Sequence, residues 1–146
     1  MRVIVCVLLV GSVVLGSLLM LGGRPRWFAD AQSFLVPWLG TILFMLASYD
    51  LTELRRWFSL GLGLRKPIEV WEHRLAKRMC VVATVVCLAL ALLNFLAAGT
   101  VLLMSLSDPT RVGPAIAVMI LSPMYAVFLA GVVIAAMWAQ ITRFEP

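Results

Sequence analysis

The polar residues that could do chemistry inside this strongly apolar chain are uncharged. Pro123 removes the backbone hydrogen bond to the carbonyl of Met119 and leaves an acceptor near the hydroxyl of Ser122. The pair is either a helix kink or a polar spot that faces a pore, and the residues alone favour the kink. Hydroxyls and amides in membrane helices more often bond their own turn or a neighbouring helix than line a path, and this holds for Asn94, Thr100, Ser105, Tyr125 and Gln140.

Ionisable side chains are absent from the long apolar runs. No Asp, Glu, Lys, Arg or His falls within residues 3–22, 31–49, 79–107 or 112–142. The chain therefore supplies no group of its own that could carry a proton at bilayer depth. This absence disfavours a self-contained proton-coupled transporter, and with it a small four-helix drug exporter.

The histidine and the cysteines do not form a reactive cluster. His73 follows Glu69 by four residues, a spacing typical of a solvated pair on a helix face rather than of a metal ligand or a base. Cys6, Cys80 and Cys87 form no Cys-x-x-Cys pair and lie in apolar runs, as small buried thiols do. We predict no enzyme activity, no metal and no cofactor, and a quinone-linked disulfide enzyme is disfavoured.

The composition is that of an integral membrane protein. Of 146 residues, 63% are apolar and 13% are charged, and a water-soluble chain of this size could not bury so much apolar surface. The net charge of +5 comes from basic residues between the apolar runs, where they orient the chain against anionic lipid. No nucleic-acid partner is implied. We expect an all-α fold that forms a single four-helix transmembrane domain over residues 1–146.

The four apolar runs predict two short and two long transmembrane helices. Residues 3–22 can cross roughly 30 Å of hydrocarbon, and because no Ala-x-Ala cleavage site follows, we expect a retained anchor. Residues 31–49 form the second span, with Pro37 near its start. As helices, residues 79–107 and 112–142 would be about 43 Å and about 46 Å long, so both must tilt or protrude.

The segment between the second and third spans, residues 50–78, predicts two short helices. Asp50 and Glu53 form a capping-box pattern that opens the first, and Gly61 and Gly63 end it. Pro67 suits the first turn of the second.

Basic residues are concentrated on one side of the predicted spans. The 50–78 segment and the two termini carry nine Lys and Arg, against three on the opposite side at Arg24, Arg26 and Arg111. The positive-inside rule then places the termini and the 50–78 segment in the cytoplasm, with the turn at Asp108 outside.

Two segments of the chain carry recognisable motifs. Residues 108–118 read Asp-Pro-Thr-Arg-Val-Gly-Pro-Ala-Ile-Ala-Val, followed by Leu-Ser-Pro-Met-Tyr-Ala at 121–126 and Leu-Ala at 129–130. This resembles the third-loop and fourth-helix signature of flagellar stator proteins of the MotA kind, in the MotA/TolQ/ExbB proton channel family: Asp-Pro, Ile-Gly-Pro, Ala-Val-Ala-Leu, Thr-Thr, Tyr-Gly and Leu-Ala-Asn. Residues 28–36 and Gly40-Thr41 are similar to the family's Phe-x-Asp-x-Pro-Ser segment and Gly-Gly-Thr.

The resemblance implies a pentameric ring in the bacterial inner membrane, built around a single-span MotB-like partner whose transmembrane Asp carries the ion. Helices three and four would line the ion path, and helices one and two would lie outside them. By motif position, Ser122 matches the first of the family's paired threonines and Tyr125 its tyrosine. The ion-path candidates are Asn94, Thr100, Ser122, Pro123 and Tyr125, and the outer-mouth turn comprises Asp108, Pro109, Gly113 and Pro114.

The chain also departs from the family pattern. Pro123 stands where the second threonine would be, Asn94-Phe95 where helix three would carry Gly-Thr, and Gly131 where helix four would carry Asn. The family's large cytoplasmic domain is reduced to residues 50–78, so we do not expect the chain to drive a flagellar switch in the usual way.

Two functions remain open on the sequence. The first is a reduced MotA-like ring subunit that conducts protons or sodium only with a carboxylate-bearing partner. The second is a non-conducting structural or assembly subunit with the same fold. A neighbouring gene for a single-span protein with a transmembrane Asp would favour the first.

Overall fold

The computed structural model describes residues 2–20, 31–64, 70–104, 106 and 108–143. Nearly all of these residues are helical and none forms a strand, which confirms the predicted all-α fold. A π-helical segment, Leu129–Ile134, continues the fifth helix into the sixth without a break. The helices are α1 (Arg2–Met20), α2 (Ala31–Ser48), α3 (Leu51–Gly61), α4 (Val70–Met104), α5 (Pro109–Phe128) and α6 (Ala135–Thr142).

The fourth helix is longer than the apolar run that predicted it. α4 begins at Val70, so the separate short helix expected before residue 79 is instead its first part. No glycine or proline divides the two parts, and Ala76, Met79 and Cys80 are buried on one continuous face. The change from charged to apolar residues therefore marks a change of surroundings and not a helix end. The expected start at Pro67 lies outside the described residues.

The core forms where α2, α4 and α5 pack on one another. Cys87 lies beside Ala126 and Gly99 beside Met119, so α4 and α5 run in opposite directions. The π-helical segment and α6 extend this packing and also contact α1. Small side chains dominate the buried faces and let the helices approach closely: Ala83, Cys87, Ala91 and Ala98 on α4, and Ala115, Ser122 and Ala126 on α5.

α3 is an amphipathic helix that packs across α4 and α6 at one end of the bundle. Its buried face includes Leu54 and Trp57, and the indole N–H of Trp57 donates a hydrogen bond to the Cys80 sulfur at 3.2 Å. On the outer side, Arg56 forms an ion pair with Glu72 of α4 at 3.5 Å. These contacts fix the helix that follows the second apolar run against the start of α4.

Both ends of α3 lie where the sequence predicts them. The backbone N–H of Asp50 donates to the Glu53 carboxylate at 3.3 Å, as in a capping box. The helix ends at Gly61, and the N–H of Gly63 donates to the carbonyl of Leu60 at 3.0 Å. Gly63 has a φ of 71°, the left-handed conformation that glycine supplies at helix ends without strain.

Two helices of the described chain are long and apolar enough to cross a membrane. They are Val70–Met104 and Val112–Thr142, and only 33% and 22% of their most apolar stretches is buried inside the chain. The core helix of a soluble protein would be mostly buried, so the exposed apolar surface suits lipid better than water. The other two apolar helical stretches, Val3–Val13 and Ser33–Ser48, are shorter.

The packing of α3 predicts that Trp57→Ala releases this helix from the bundle. Trp57 is 6% exposed and its loss should cost about 3–5 kcal/mol of packing. Trypsin should then cleave at Arg55 and Arg56 more than a hundred-fold faster, because cleavage follows local opening of the helix. Phe58→Ala, at a neighbouring position that is 43% exposed, is the matched control and should leave the cleavage rate within a few-fold. Equal protection of both variants would show that Trp57 does not anchor α3.

Candidate functional site

Five small polar side chains lie buried on the inner faces of α2, α4 and α5, and we call them the polar seam. They are Ser33 and Thr41 on α2, Cys87 and Asn94 on α4, and Ser122 on α5. Ser33, Cys87 and Ser122 have no exposed surface at all, and Asn94 is 7% exposed. None carries a charge at neutral pH, so the seam can offer hydrogen bonds but no fixed charge.

On α2 the seam follows from a four-residue repeat. Ser33, Pro37, Thr41 and Met45 are spaced to share one helix face, and all four are buried. Pro37 has no N–H, so the carbonyl of Ser33 loses its usual helical hydrogen bond. The Thr41 hydroxyl turns back and donates to the Pro37 carbonyl. Hydroxyls that bond their own turn in this way satisfy themselves without a neighbouring helix.

The three helices meet at Cys87. Its Sγ atom lies 3.9 Å from the carbonyl oxygen of Ala126 on α5. The Thr41 side chain of α2 is also within hydrogen-bonding reach of the thiol. Cys80 and Cys87 are both buried free thiols, as predicted, while the side chain of Cys6 lies outside the described residues. The thiol of Cys87 thus acts as a small packing group between α4 and its neighbours α2 and α5.

Two members of the seam are without a hydrogen-bond partner among the described residues. They are the Nδ2 atom of Asn94 and the Oγ atom of Ser122. Leaving a buried donor unpaired costs about 1–3 kcal/mol, and such groups in folded proteins usually meet a water or an ion. By contrast, the Thr100 hydroxyl donates to the carbonyl of Ala97 in its own turn at 2.7 Å. The unpaired groups at Asn94 and Ser122 are therefore the part of the seam with capacity to bind something.

The structure distributes the five ion-path candidates over different surroundings. Asn94 and Ser122 lie inside the chain, whereas Thr100 is exposed and Pro123 and Tyr125 are half-buried. The ring of Tyr125 meets that of Phe34 on α2 edge-on, with centroids 5.6 Å apart. α5 continues through Pro123 without a break. In a single copy of the chain, the five residues do not line one common surface.

The outer-mouth residues begin α5. The Asp108 carboxylate accepts hydrogen bonds from the backbone N–H of Thr110 at 3.1 Å and from its hydroxyl at 2.6 Å, and Pro109 is the first helical residue. Gly113 and Pro114 are exposed in the next turn, and a Cβ added at Gly113 would meet nothing within 4 Å. Asp108 therefore caps a helix, which accounts for this residue without any ion binding.

The prediction for His73 is wrong, and part of the polar seam was not predicted. His73 was expected in solvent, but it is 6% exposed because α4 extends over residues 70–78 and packs that face inward. Ser33 and Thr41 belong to the motif segments but were not predicted as site residues. They lie four residues before and four residues after Pro37, and this spacing was the signal that all three share a face. No group of three or more His, Cys, Asp or Glu in the described parts of the chain could hold a metal ion.

The unpaired hydroxyl of Ser122 predicts an unusual response to truncation. Ser122→Ala should raise the free energy of unfolding by about 1 kcal/mol, because it removes a buried donor that has no partner. Thr100→Ala is the control, since the Thr100 hydroxyl is exposed and bonded within its own turn. This variant should change the free energy of unfolding by no more than about 0.5 kcal/mol. Thermal unfolding of the detergent-purified protein measures both. A clear loss of stability in Ser122→Ala would mean that the hydroxyl has a bound partner.

No protein-family model, curated protein or solved structure matches this chain. The resemblance to MotA-like proteins therefore depends on the motifs at residues 28–41 and 108–130 themselves. The chain is assigned to no family on these comparisons.

Proposed function

We propose that this chain is a MotA-like ring subunit of an ion-driven channel or motor complex in the bacterial inner membrane. In this proposal α1, α2, α4 and the continuous α5–α6 helix all cross the membrane, and both termini and α3 lie in the cytoplasm. A pentamer surrounds a single-span partner that carries a transmembrane Asp. α4 and α5 line the path for protons or sodium.

The observation that carries the proposal is the combination of unpaired polar groups with an absence of charge. The Nδ2 atom of Asn94 and the Oγ atom of Ser122 are buried without hydrogen-bond partners among the described residues. No Asp, Glu, Lys, Arg or His follows Arg78 on α4 or lies between Arg111 and Arg143 on α5 and α6. A path built from this chain alone would offer neutral polar groups and no side chain that could take up a proton or balance the charge of a cation, so the proposal places the carboxylate on a partner.

The charge distribution supports the proposed orientation. α3 carries Arg55 and Arg56, and the first turns of α4 carry Arg74, Lys77 and Arg78. Clustered basic residues beside membrane helices are retained on the cytoplasmic side. Because Arg56 pairs with Glu72 across α3 and α4, this basic region is also a fixed part of the fold.

A non-conducting structural or assembly subunit is the second candidate, and one observation favours it. Ser122 is fully buried between the helices of its own chain, where a partner helix cannot reach it without a rearrangement. In a scaffold the seam would only hold α2, α4 and α5 together. The two candidates share the fold and differ in whether the seam is opened in the complex.

The proposal predicts a ring of copies. Protein purified in mild detergent should give a native mass of about five times 16.1 kDa, with additional mass from the partner when purified from its own membrane. A stable monomer, or a pure ring without any copurified single-span protein, would contradict the channel proposal. A ring without a partner would support the scaffold.

The role of Ser122 is tested by ion flux through the reconstituted complex. Ser122→Leu should abolish the partner-dependent proton or sodium leak, because an apolar side chain would close the polar spot. Thr84→Val is the control, since the Thr84 hydroxyl already bonds the Cys80 carbonyl of its own turn at 2.9 Å. Leak at the wild-type rate in Ser122→Leu would assign Ser122 to packing alone.

A further inference from the structure

An apolar groove runs between the early part of α4 and the helix that continues from the π-helical segment into α6. Its volume is about 370 Å³, and its walls include Val81 and Val85 on one side and Ala130, Ala135 and Trp138 on the other. Thr84 also lines it, but its hydroxyl bonds the Cys80 carbonyl, so the threonine presents no free donor there. The volume lies within the range of about 300–1,000 Å³ that is typical of ligand sites.

Basic residues lie at one end of this groove. Lys77, Val81 and Thr84 are spaced to share one face of α4, and Arg74 precedes Lys77 by three residues on the same side. Arg74 is exposed. At about 1.5 Å per residue, Lys77 lies about 12 Å along the helix from Val85, the far end of the groove on α4. The one acid in the described first turn of α4, Glu72, faces α3 and pairs there with Arg56.

We propose that this groove binds an acyl chain of an anionic phospholipid of the cytoplasmic leaflet, with the lipid phosphate held by Arg74 and Lys77. The inference rests on the membrane orientation given in the proposed function. The far end of the groove on α4 lies about 12 Å below Lys77, a distance that matches the upper part of a phospholipid in one leaflet. Basic pockets between membrane helices on the cytoplasmic side bind anionic headgroups in this way.

Charge also selects the lipid over a second copy of the chain as the occupant. A neighbouring copy could fill the groove only with an uncharged stretch, because residues 79–107 and 112–142 contain no Asp or Glu, whereas a lipid also brings a phosphate to Arg74 and Lys77. Trp138 is 37% exposed at the groove, and tryptophan favours the interfacial depth at which lipid headgroups begin.

The test is native mass spectrometry of the delipidated protein after addition of phosphatidylglycerol or phosphatidylcholine with identical acyl chains. The wild type should retain phosphatidylglycerol at least ten-fold better. The double variant Arg74→Gln/Lys77→Gln should retain phosphatidylglycerol roughly ten- to thirty-fold less well than the wild type, because each cation contributes about one order of magnitude or less. The matched control, Arg24→Gln/Arg26→Gln, removes the same net charge on the side of the membrane that the proposed orientation places opposite Arg74 and Lys77, and it should retain the lipid normally.

A groove-filling variant separates the lipid from other occupants. Ala135→Trp should reduce retention of both lipids, whereas Ala117→Trp, at an exposed position on α5 outside the groove, should not.

Equal retention of the two lipids by the wild type, or unchanged retention in Arg74→Gln/Lys77→Gln, would overturn the proposal. So would an Ala135→Trp variant that changes the oligomeric mass but binds lipid normally, since the groove would then be an interface between copies. Lipid retention is counted per chain, so it can be measured whatever the oligomeric state. A monomer that still selects phosphatidylglycerol would contradict the ring of the proposed function but would support this lipid site.

Discussion

The structure depends on helices that must hold together without charge and with little help from the hydrophobic effect. Where the surroundings are apolar, association comes from close packing and from hydrogen bonds between helices. The inner faces of α2, α4 and α5 meet this constraint with alanine, serine, threonine and cysteine, and Cys87 beside Ala126 marks how closely α4 and α5 approach. Many of the large apolar side chains point outward, as Val85 and Leu92 do on α4.

The same constraint explains why the polar seam points to a function beyond packing. A protein built only for packing would place alanine at Ser122 and an apolar residue at Asn94, because an unpaired buried donor lowers stability. Groups that weaken a fold in this way are typical of functional sites, where stability is given up for activity. The seam has no charge, so in the proposed channel the carboxylate comes from a second protein. This requirement links the chemistry of the chain to its assembly.

Local features were predictable from the sequence and long-range ones were not. The limits of α3 follow from Asp50 and Gly63, whose capping and left-handed geometry involve only neighbouring residues. The continuity of α4 through residues 70–78 and the burial of His73 depend on α4 packing against other helices, which no local pattern encodes. For the same reason, Ser122 and Tyr125 could be identified from their motif. The burial of Ser122 and the contact of Tyr125 with Phe34 of α2 could not be predicted.

The most direct test of the central claim is an electron cryomicroscopy reconstruction of the complex purified from its native membrane. The account predicts several copies of this chain around a shared axis, with at least one additional helix on that axis whose carboxylate lies at the depth of Ser122. A single copy of the chain, or a ring whose axis holds no protein helix with an acidic residue, would contradict it.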